Sequence, residues 1–339
     1  MYTTKGLRRR IALDKGMARL NPKRRLIEIY GLDAGKFLQN MISNNIPPEG
    51  PDSGGRMLCD AFIYSIAHNS VWRESRNVSE GKDYQAFFIE CDARSAENLL
   101  YHLKHYKLRS RISLELVDND EWSIWSSWGI SEKEDCEKKE SIGCYDHRAP
   151  GMGRRDILPY NTKPTFELDE VPLENYRIKR NLLGVPEGPD DIFENKVFPL
   201  ESCLDYMGGI NFYKGCYIGQ ELTTRVYHAG VVRKRIVPIS FYDPNDSPPS
   251  VLEYIPSLKF CFPAQATNIV REDSTEKSVG KFCSGIGNIG LGLMRLDSVF
   301  NQPEQHKYVI HHTDQNNNNH IIGVKAFHPW WWTEKHSNP

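Results

Sequence analysis

The chain has 339 residues, 39% of them hydrophobic and 26% charged, with a net charge of −1. That balance describes a globular chain long enough for two or three cores, and it excludes wholesale disorder and collagen-like repeats. The longest apolar run, 61–67, is far short of the ~20 residues a membrane-spanning helix needs, so no membrane span is expected.

Charge is unevenly spread. Residues 1–20 carry Lys5, Arg8, Arg9, Arg10, Lys15 and Arg19 against the single acid Asp14, a +5 segment that leaves −6 for residues 21–339. An acidic body lacks the basic footprint that phosphate-backbone binding requires, so nucleic acid is not the expected partner. The Arg-rich start, with Leu7 and Ile11 one helical turn apart, reads either as a mitochondrial transit peptide or as a basic tail.

Leu26 to Tyr30 predicts a strand ended by Gly31, with Asp33 as the cap of a helix that carries Phe37, Leu38, Met41 and Ile42 on one face. Residues 47–56 read as a loop. A strand over Met57 to Ile66 is expected to pair with Tyr84 to Glu90. Asp92 then opens a helix marked by Leu99, Leu100, Leu103 and Tyr106, and alternating Ile112, Leu114 and Leu116 predict the strand after it. Residues 131–140, eight of them charged, have the composition of a solvated loop. Pro/Gly punctuation from Ala149 to Pro172 leads into Leu173 to Leu183 and the turn-rich stretch Gly184 to Pro189. After Pro238, short strand-like runs predict a separate β domain, with Asn316 to Asn319 at a hairpin tip or loop.

The eight cysteines (59, 91, 136, 144, 203, 216, 261 and 283) include no C-x-x-C pair, and none has a His at zinc-finger spacing. They read as free thiols, so a metal bound by one of them needs ligands from elsewhere. The chemistry concentrates in KGCYIGQELTTR, residues 214–225. Gly219 can start a helix, Glu221 falls in its first turn, Arg225 and His228 near its end, and Gly230 stops it. Cys216 lies just ahead of this helix and two residues after Lys214. At ~6 Å and an effective dielectric of ~20, an ammonium favours the thiolate by ~3 kcal/mol, whereas burial against Tyr217 and Ile218 opposes it. Cys216 is thus either a functional thiolate or an inert small apolar residue. Arg225, His228, Arg233, Lys234 and Arg235 either receive an anion or form the solvated face of a strand over Val231 to Ile239.

The run KGCYIGQELTTRVYHAGVVRKRIVPI resembles the signature of the folate-binding YgfZ family, relatives of the glycine-cleavage aminomethyltransferase, and within it most closely the mitochondrial iron–sulfur cluster assembly branch. Leu38-Gln39 through Asn44, Gly55-Arg56 through Tyr64, Asp146-His147-Arg148, GVPEG at 184–188, PLE at 199–201, Gly290 to Leu296 and Pro329-Trp330-Trp331 are similar to further pieces of that family. The resemblance implies an α+β, three-domain cloverleaf. Residues 21–235 would hold two interleaved α+β domains related to the aminomethyltransferases, and 236–335 a C-terminal β-barrel-like domain. It implies a tetrahydrofolate-type ligand held by Gly215, Tyr217, Gly219, Gln220, Glu221, Arg225 and Arg148. Cys216 would be the functional thiolate and a transient ligand of a cluster shared with a partner, with Lys214 beside it and Asp60 in an acid/base role.

Two departures bear on activity. Cys59 replaces one acid of the paired-acid strand, and Leu182 stands where the transferases place a pterin-holding glutamate, which leaves a pterin donor unpaired at ~1–3 kcal/mol. With these departures, the resemblance implies an assembly factor of the mitochondrial matrix rather than a transferase. It would work with A-type scaffold proteins on [4Fe–4S] clients of the aconitase and lipoyl synthase types. A folate-dependent one-carbon transferase is the alternative.

Overall fold

The computed structural model describes residues 14–44, 57–77, 84–130, 142–217, 220–301, 306–314 and 316–332. The expected loops at 47–56 and 131–140 and the start of the basic segment lie outside them. The chain forms two compact units, Met1–Tyr176 with Gly208–Gln220, and Arg177–Met207 with Glu221–Pro339.

The first unit contains two four-stranded sheets in which every paired strand is antiparallel. One comprises β2 (Arg24–Gly31), β3 (Ala61–Ser65), β4 (Gln85–Asp92) and β5 (Ile112–Leu116) in the order β3-β4-β2-β5. Period-two alternation sends Ile27 and Ile29 of β2 and Phe87 and Ile89 of β4 to one face. There they pack on Phe37 and Leu38 of helix α1 (Ala34–Met41) and, beyond the short helix α2 (Ser70–Ser75), on Leu99 and Leu103 of helix α3 (Ala96–Tyr106). The opposite face holds Arg24, Glu28, Phe88 and Glu90, all buried, which is why β2 and β4 show little solvent-facing alternation.

The other sheet comprises β1 (Gly16–Arg19), β6 (Trp122–Trp128), β7 (Ile142–Tyr145) and β8 (Arg154–Pro159), ordered β1-β6-β8-β7. Met17 and Ala18 are buried and β1 pairs with β6, so the last residues of the basic segment 1–20 are part of the fold rather than a tail. The β7–β8 turn needs Gly153, at φ +84°, because a Cβ there would lie 2.0 Å from the carbonyl oxygen of Ser127.

Several expected boundaries shift. The strand expected over 57–66 is only Ala61–Ser65, an edge strand, and Asp60 just before it turns to an ion pair. Asp33 sits at the start of α1 but makes no capping hydrogen bond, because its carboxylate takes the Arg111 guanidinium instead. The helix expected from Asp92 begins at Ala96, since Asp92 is occupied by Arg94.

Helix α4 (Leu173–Leu183) passes from the first unit into the second. After helix α5 (Gln220–Ala229), the second unit closes a six-stranded barrel, completed by the short helix α6 (Leu296–Phe300). Its strands are β9 (Lys234–Tyr242), β10 (Asn268–Arg271), β11 (Ser274–Ile286), β12 (Ile289–Arg295), β13 (Tyr308–Thr313) and β14 (Asn319–Ala326). They run β10-β11-β12-β9-β14-β13 and close through β10–β13 pairing, so no edge remains. Phe241 fills the interior against Phe260, Phe262 and Phe282 at centroid distances of 6.1, 4.9 and 6.0 Å. The β13–β14 hairpin turns at Asn316–Asn318, as its composition predicts.

Candidate functional site

The KGC stretch ends a strap, residues 208–217, that is fastened to the end of α1. Ser43 Oγ donates to the carbonyl of Gly209 at 2.7 Å, Asn44 Nδ2 to that of Gly208 at 2.5 Å, and the Asn211 N–H to the Ser43 carbonyl at 2.8 Å. Lys214 supplies the decisive tie. Its ammonium donates to the main-chain carbonyls of Gln39, Ile42 and Asn44 at 2.9, 3.4 and 3.2 Å, where α1 leaves carbonyls without helical partners. The same ammonium lies 5.1 Å from the centroid of the Tyr217 ring. Rather than serving the neighbouring sulfur alone, the Lys214 charge is spent on the end of a helix.

On the other side Tyr217 is buried, and it exchanges hydrogen bonds with Gln220: its N–H donates to Gln220 Oε1 and its carbonyl accepts from the Gln220 N–H, each at 3.3 Å. Between these two anchors Gly215 and Cys216 are exposed, and a Cβ built on Gly215 meets nothing within 4 Å. Tyr213, just before Lys214, is 96% exposed. The inert-residue alternative for Cys216 is thereby disfavoured: its side chain faces solvent on a backbone pinned one residue before Gly215 and one residue after Cys216. Gly219 lies outside the described residues.

Other thiols contrast with it. Burial pushes Cys91, Cys144 and Cys203 up to about 12 and Cys283 well above the ordinary thiol range, so all four stay protonated at neutral pH. Cys216 and Cys261 are the exposed cysteines among the described residues. Also among the described residues, no group of three or more His, Cys, Asp or Glu is placed to hold a metal ion.

Glu221 and Arg225 are exposed on α5, four residues apart. The basic run after them divides. Arg233 is exposed, Lys234 pairs with Glu201 at 3.5 Å, and Arg235 is buried in a two-pronged pair with Asp205, both contacts 2.7 Å, over the rings of Tyr206 and Trp332. Of the five residues of the expected anion site, Arg235 is therefore taken up by packing and Lys234 by an ion pair, while Arg225, His228 and Arg233 are exposed. Trp332 stacks on Tyr206 at 4.8 Å and Trp331 Nε1 donates to the Leu183 carbonyl at 2.7 Å, which gives these two tryptophans a structural role, while Trp330 is exposed.

Asp60 and Arg148 belong to a buried charge network in the first unit that sequence reasoning missed. Arg24 donates from Nε to Glu90 Oε1 at 2.7 Å and from Nη1 to Asp60 Oδ2 at 3.0 Å. Glu90 also accepts from Tyr64 Oη at 2.6 Å and from Arg155, which in turn reaches the Tyr176 hydroxyl. Arg148 holds Asp146 with two hydrogen bonds of 2.9 and 2.7 Å and the Tyr176 hydroxyl with a third of 3.0 Å. Burial alone would raise Asp146, but Arg148 and Arg155 more than offset it and hold the carboxyl below its usual range. The only signal in the sequence was a charged residue at a buried-face position of each apolar strand.

Arg148 is occupied by Asp146 and Tyr176, the Gln220 carbonyl oxygen by Tyr217, and Asp60 by Arg24, while Leu182 offers no carboxylate. Of the residues that the family resemblance assigns to tetrahydrofolate, Arg148 and Gln220 are thus engaged within the chain, while Gly215, Glu221 and Arg225 are exposed.

Residues 233–334 match the family model of the CAF17 C-terminal β-barrel domain. The chain is 35% identical over 305 residues to a protein of Coccidioides immitis and 39% identical over 292 residues to one of Pyricularia oryzae, each match covering 81% of this chain and 70% of the relative. A Neurospora crassa protein is 34% identical over 370 residues, covering 94% of this chain and 81% of its own length. All three are described as mitochondrial iron–sulfur cluster assembly factor IBA57 homologs. The chain belongs to the IBA57 family. In architecture this IBA57-family member is similar to the glycine cleavage system aminomethyltransferase T of Bartonella henselae, with a TM-score of 0.58 at 12% identity over 92% of this chain and 85% of that one. At that identity the likeness concerns the fold. It matches the expected mixed α+β architecture with a C-terminal barrel.

Proposed function

We propose that this chain is an assembly factor for mitochondrial [4Fe–4S] proteins and that Cys216 is the one thiolate ligand it contributes to a cluster held jointly with an A-type scaffold protein. The observation that carries the reading is the exposure of Cys216 between the anchors Lys214 and Tyr217, in a family named for iron–sulfur cluster assembly. A ligand meant to hold a cluster briefly must be reachable by a second protein, yet it must sit on a backbone that does not swing away. The strap supports both needs. Shared ligation also accounts for a chain that has no complete metal site among its described residues.

The one-carbon transferase reading asks Asp60 to act on a substrate and Arg148 to hold one. Their ion pairs with Arg24 and Asp146 count against it, as does Leu182.

The test is to mix the purified protein with a cluster-loaded A-type scaffold and follow the visible cluster absorption through gel filtration. Wild type is expected to co-elute with the scaffold and the cluster, whereas Cys216→Ser co-elutes without cluster or not at all. Equal cluster retention by Cys216→Ser overturns the ligand assignment.

A further inference from the structure

Helix α3 buries Leu99 and Leu103 against the first sheet and turns Tyr101, Lys104 and His105 to solvent. The turn that ends it adds Leu108. Spacing of i, i+3 and i+4 puts Tyr101, Lys104 and His105 on one face of the helix, and Leu108 follows just past its end. Tyr101 is 75% exposed and Leu108 86%.

Leu108 is unusual for its backbone. It stands just past the helix with φ +45°, the left-handed conformation that glycine adopts without cost and a leucine does not. A large apolar side chain is therefore held in a disfavoured conformation where it packs on almost nothing in this chain, and such an outlier is grounds for a functional inference.

The surrounding charge is mostly basic, with exposed Glu97 one turn before Tyr101 as the acid of the helix. Residues 101–111 contain Lys104, Lys107, Arg109 and Arg111 and no acid, in a chain whose body is net negative. Arg111 is paired with Asp33 at 3.0 Å, but Lys104, Lys107 and Arg109 have no ion pair among the described residues. Exposed Lys36 of α1 and half-exposed Leu32 extend the patch, joined to it through the Asp33–Arg111 pair.

We propose that this patch docks the protein on a bilayer that contains anionic phospholipid, with Leu108 and Tyr101 entering the headgroup layer and Lys104, Lys107 and Arg109 at the phosphates. The inference does not depend on the role given to Cys216. Charge complementarity selects an anionic surface, and protrusion selects a fluid one. Leu108 and Tyr101 are apolar groups held out from the surface, and Leu108 is flanked in sequence by Lys107 and Arg109, the pairing of apolar insertion with basic flanks that an interfacial contact uses. Tyrosine favours the membrane–water interface, and each Lys or Arg gains from the negative potential of the lipid.

The test is co-sedimentation of the full chain with phosphatidylcholine vesicles with and without cardiolipin. Binding is expected only with cardiolipin, to weaken with salt, and to fall at least about tenfold in the Lys104→Glu/Lys107→Glu variant. Leu108→Gly separates docking from folding, because glycine suits the backbone. Its melting temperature should hold or rise while vesicle binding falls. Absence of cardiolipin-dependent binding, equal binding to neutral vesicles, or full binding by Leu108→Gly overturns the proposal. Capture of an acidic protein by this face without vesicle binding overturns it as well.

Discussion

The Nε of Arg24 lies 2.7 Å from Oε1 of Glu90, and neither side chain is more than 3% exposed. Asp60, Tyr64 and Arg155 close around the same pair, so β2, β3, β4 and β8 are joined by charge where an apolar layer would ordinarily serve. Removing one partner leaves an uncompensated buried charge, which costs ~3–5 kcal/mol. Glu90→Ala is accordingly expected to lower the melting temperature by on the order of 10 °C. Arg111→Ala, which breaks only the exposed pair with Asp33, should leave it nearly unchanged. Thermal unfolding followed by circular dichroism checks both, and equal shifts would contradict the network's role.

The thiols make a prediction in pH. Cys91, Cys144 and Cys203 have folded values of about 12, above the ~8.5 of an unfolded thiol. A raised value means that the folded protein holds the proton more tightly. The resulting stability is complete below pH ~8.5 and is lost as pH rises from there toward 12. Stability should therefore fall on the alkaline side, and iodoacetamide labelling read by peptide mass spectrometry at pH 8 should modify Cys216 and Cys261 well before Cys91, Cys144, Cys203 and Cys283. Early modification of the buried Cys91, Cys203 and Cys283 would contradict their packing.

Lys214 and Cys216 are expected to differ in kind. Lys214→Ala removes three hydrogen bonds from a charged donor and should cost ~1.5–3 kcal/mol. Cys216→Ala changes an exposed side chain and should stay within ~0.5 kcal/mol. Urea denaturation measures both, and both variants should lose function, Lys214→Ala through misplacement of the strap. A Cys216→Ala loss as large as that of Lys214→Ala would make the cysteine a packing residue.

Much of this was legible in the sequence. The hydrophobic period gave β2, α1, α3 and β5 because one face of each is apolar, and the helix at 220–229 followed from its flanking glycines and charges. What stayed hidden were partners distant in the chain. Nothing near Lys214 says that it reaches Gln39, 175 residues away, and nothing near Arg24 names Glu90 or Asp60. Leu108 was hidden for a different reason, since a single exposed leucine in a helical pattern looks like one more core residue until its φ of +45° is known.

Tetrahydrofolate gives a direct comparison with the transferase fold. A ligand at 100 times its Kd stabilises by ~2.7 kcal/mol, enough to move Tm by about 5–10 °C in a unit of this size. With Arg148 and Gln220 committed and Leu182 apolar, tetrahydrofolate at concentrations that saturate an aminomethyltransferase should move Tm of this protein by far less. A shift of full size would restore the folate site and the transferase alternative with it.

The role of Cys216 in cluster assembly is read most sharply from aconitase activity and protein lipoylation in mitochondria depleted of this protein and resupplied with wild type or Cys216→Ala. Both are expected to recover with wild type and neither with Cys216→Ala, at equal protein levels. Full recovery with Cys216→Ala, or cluster enzymes that stay normal throughout depletion, would contradict that role.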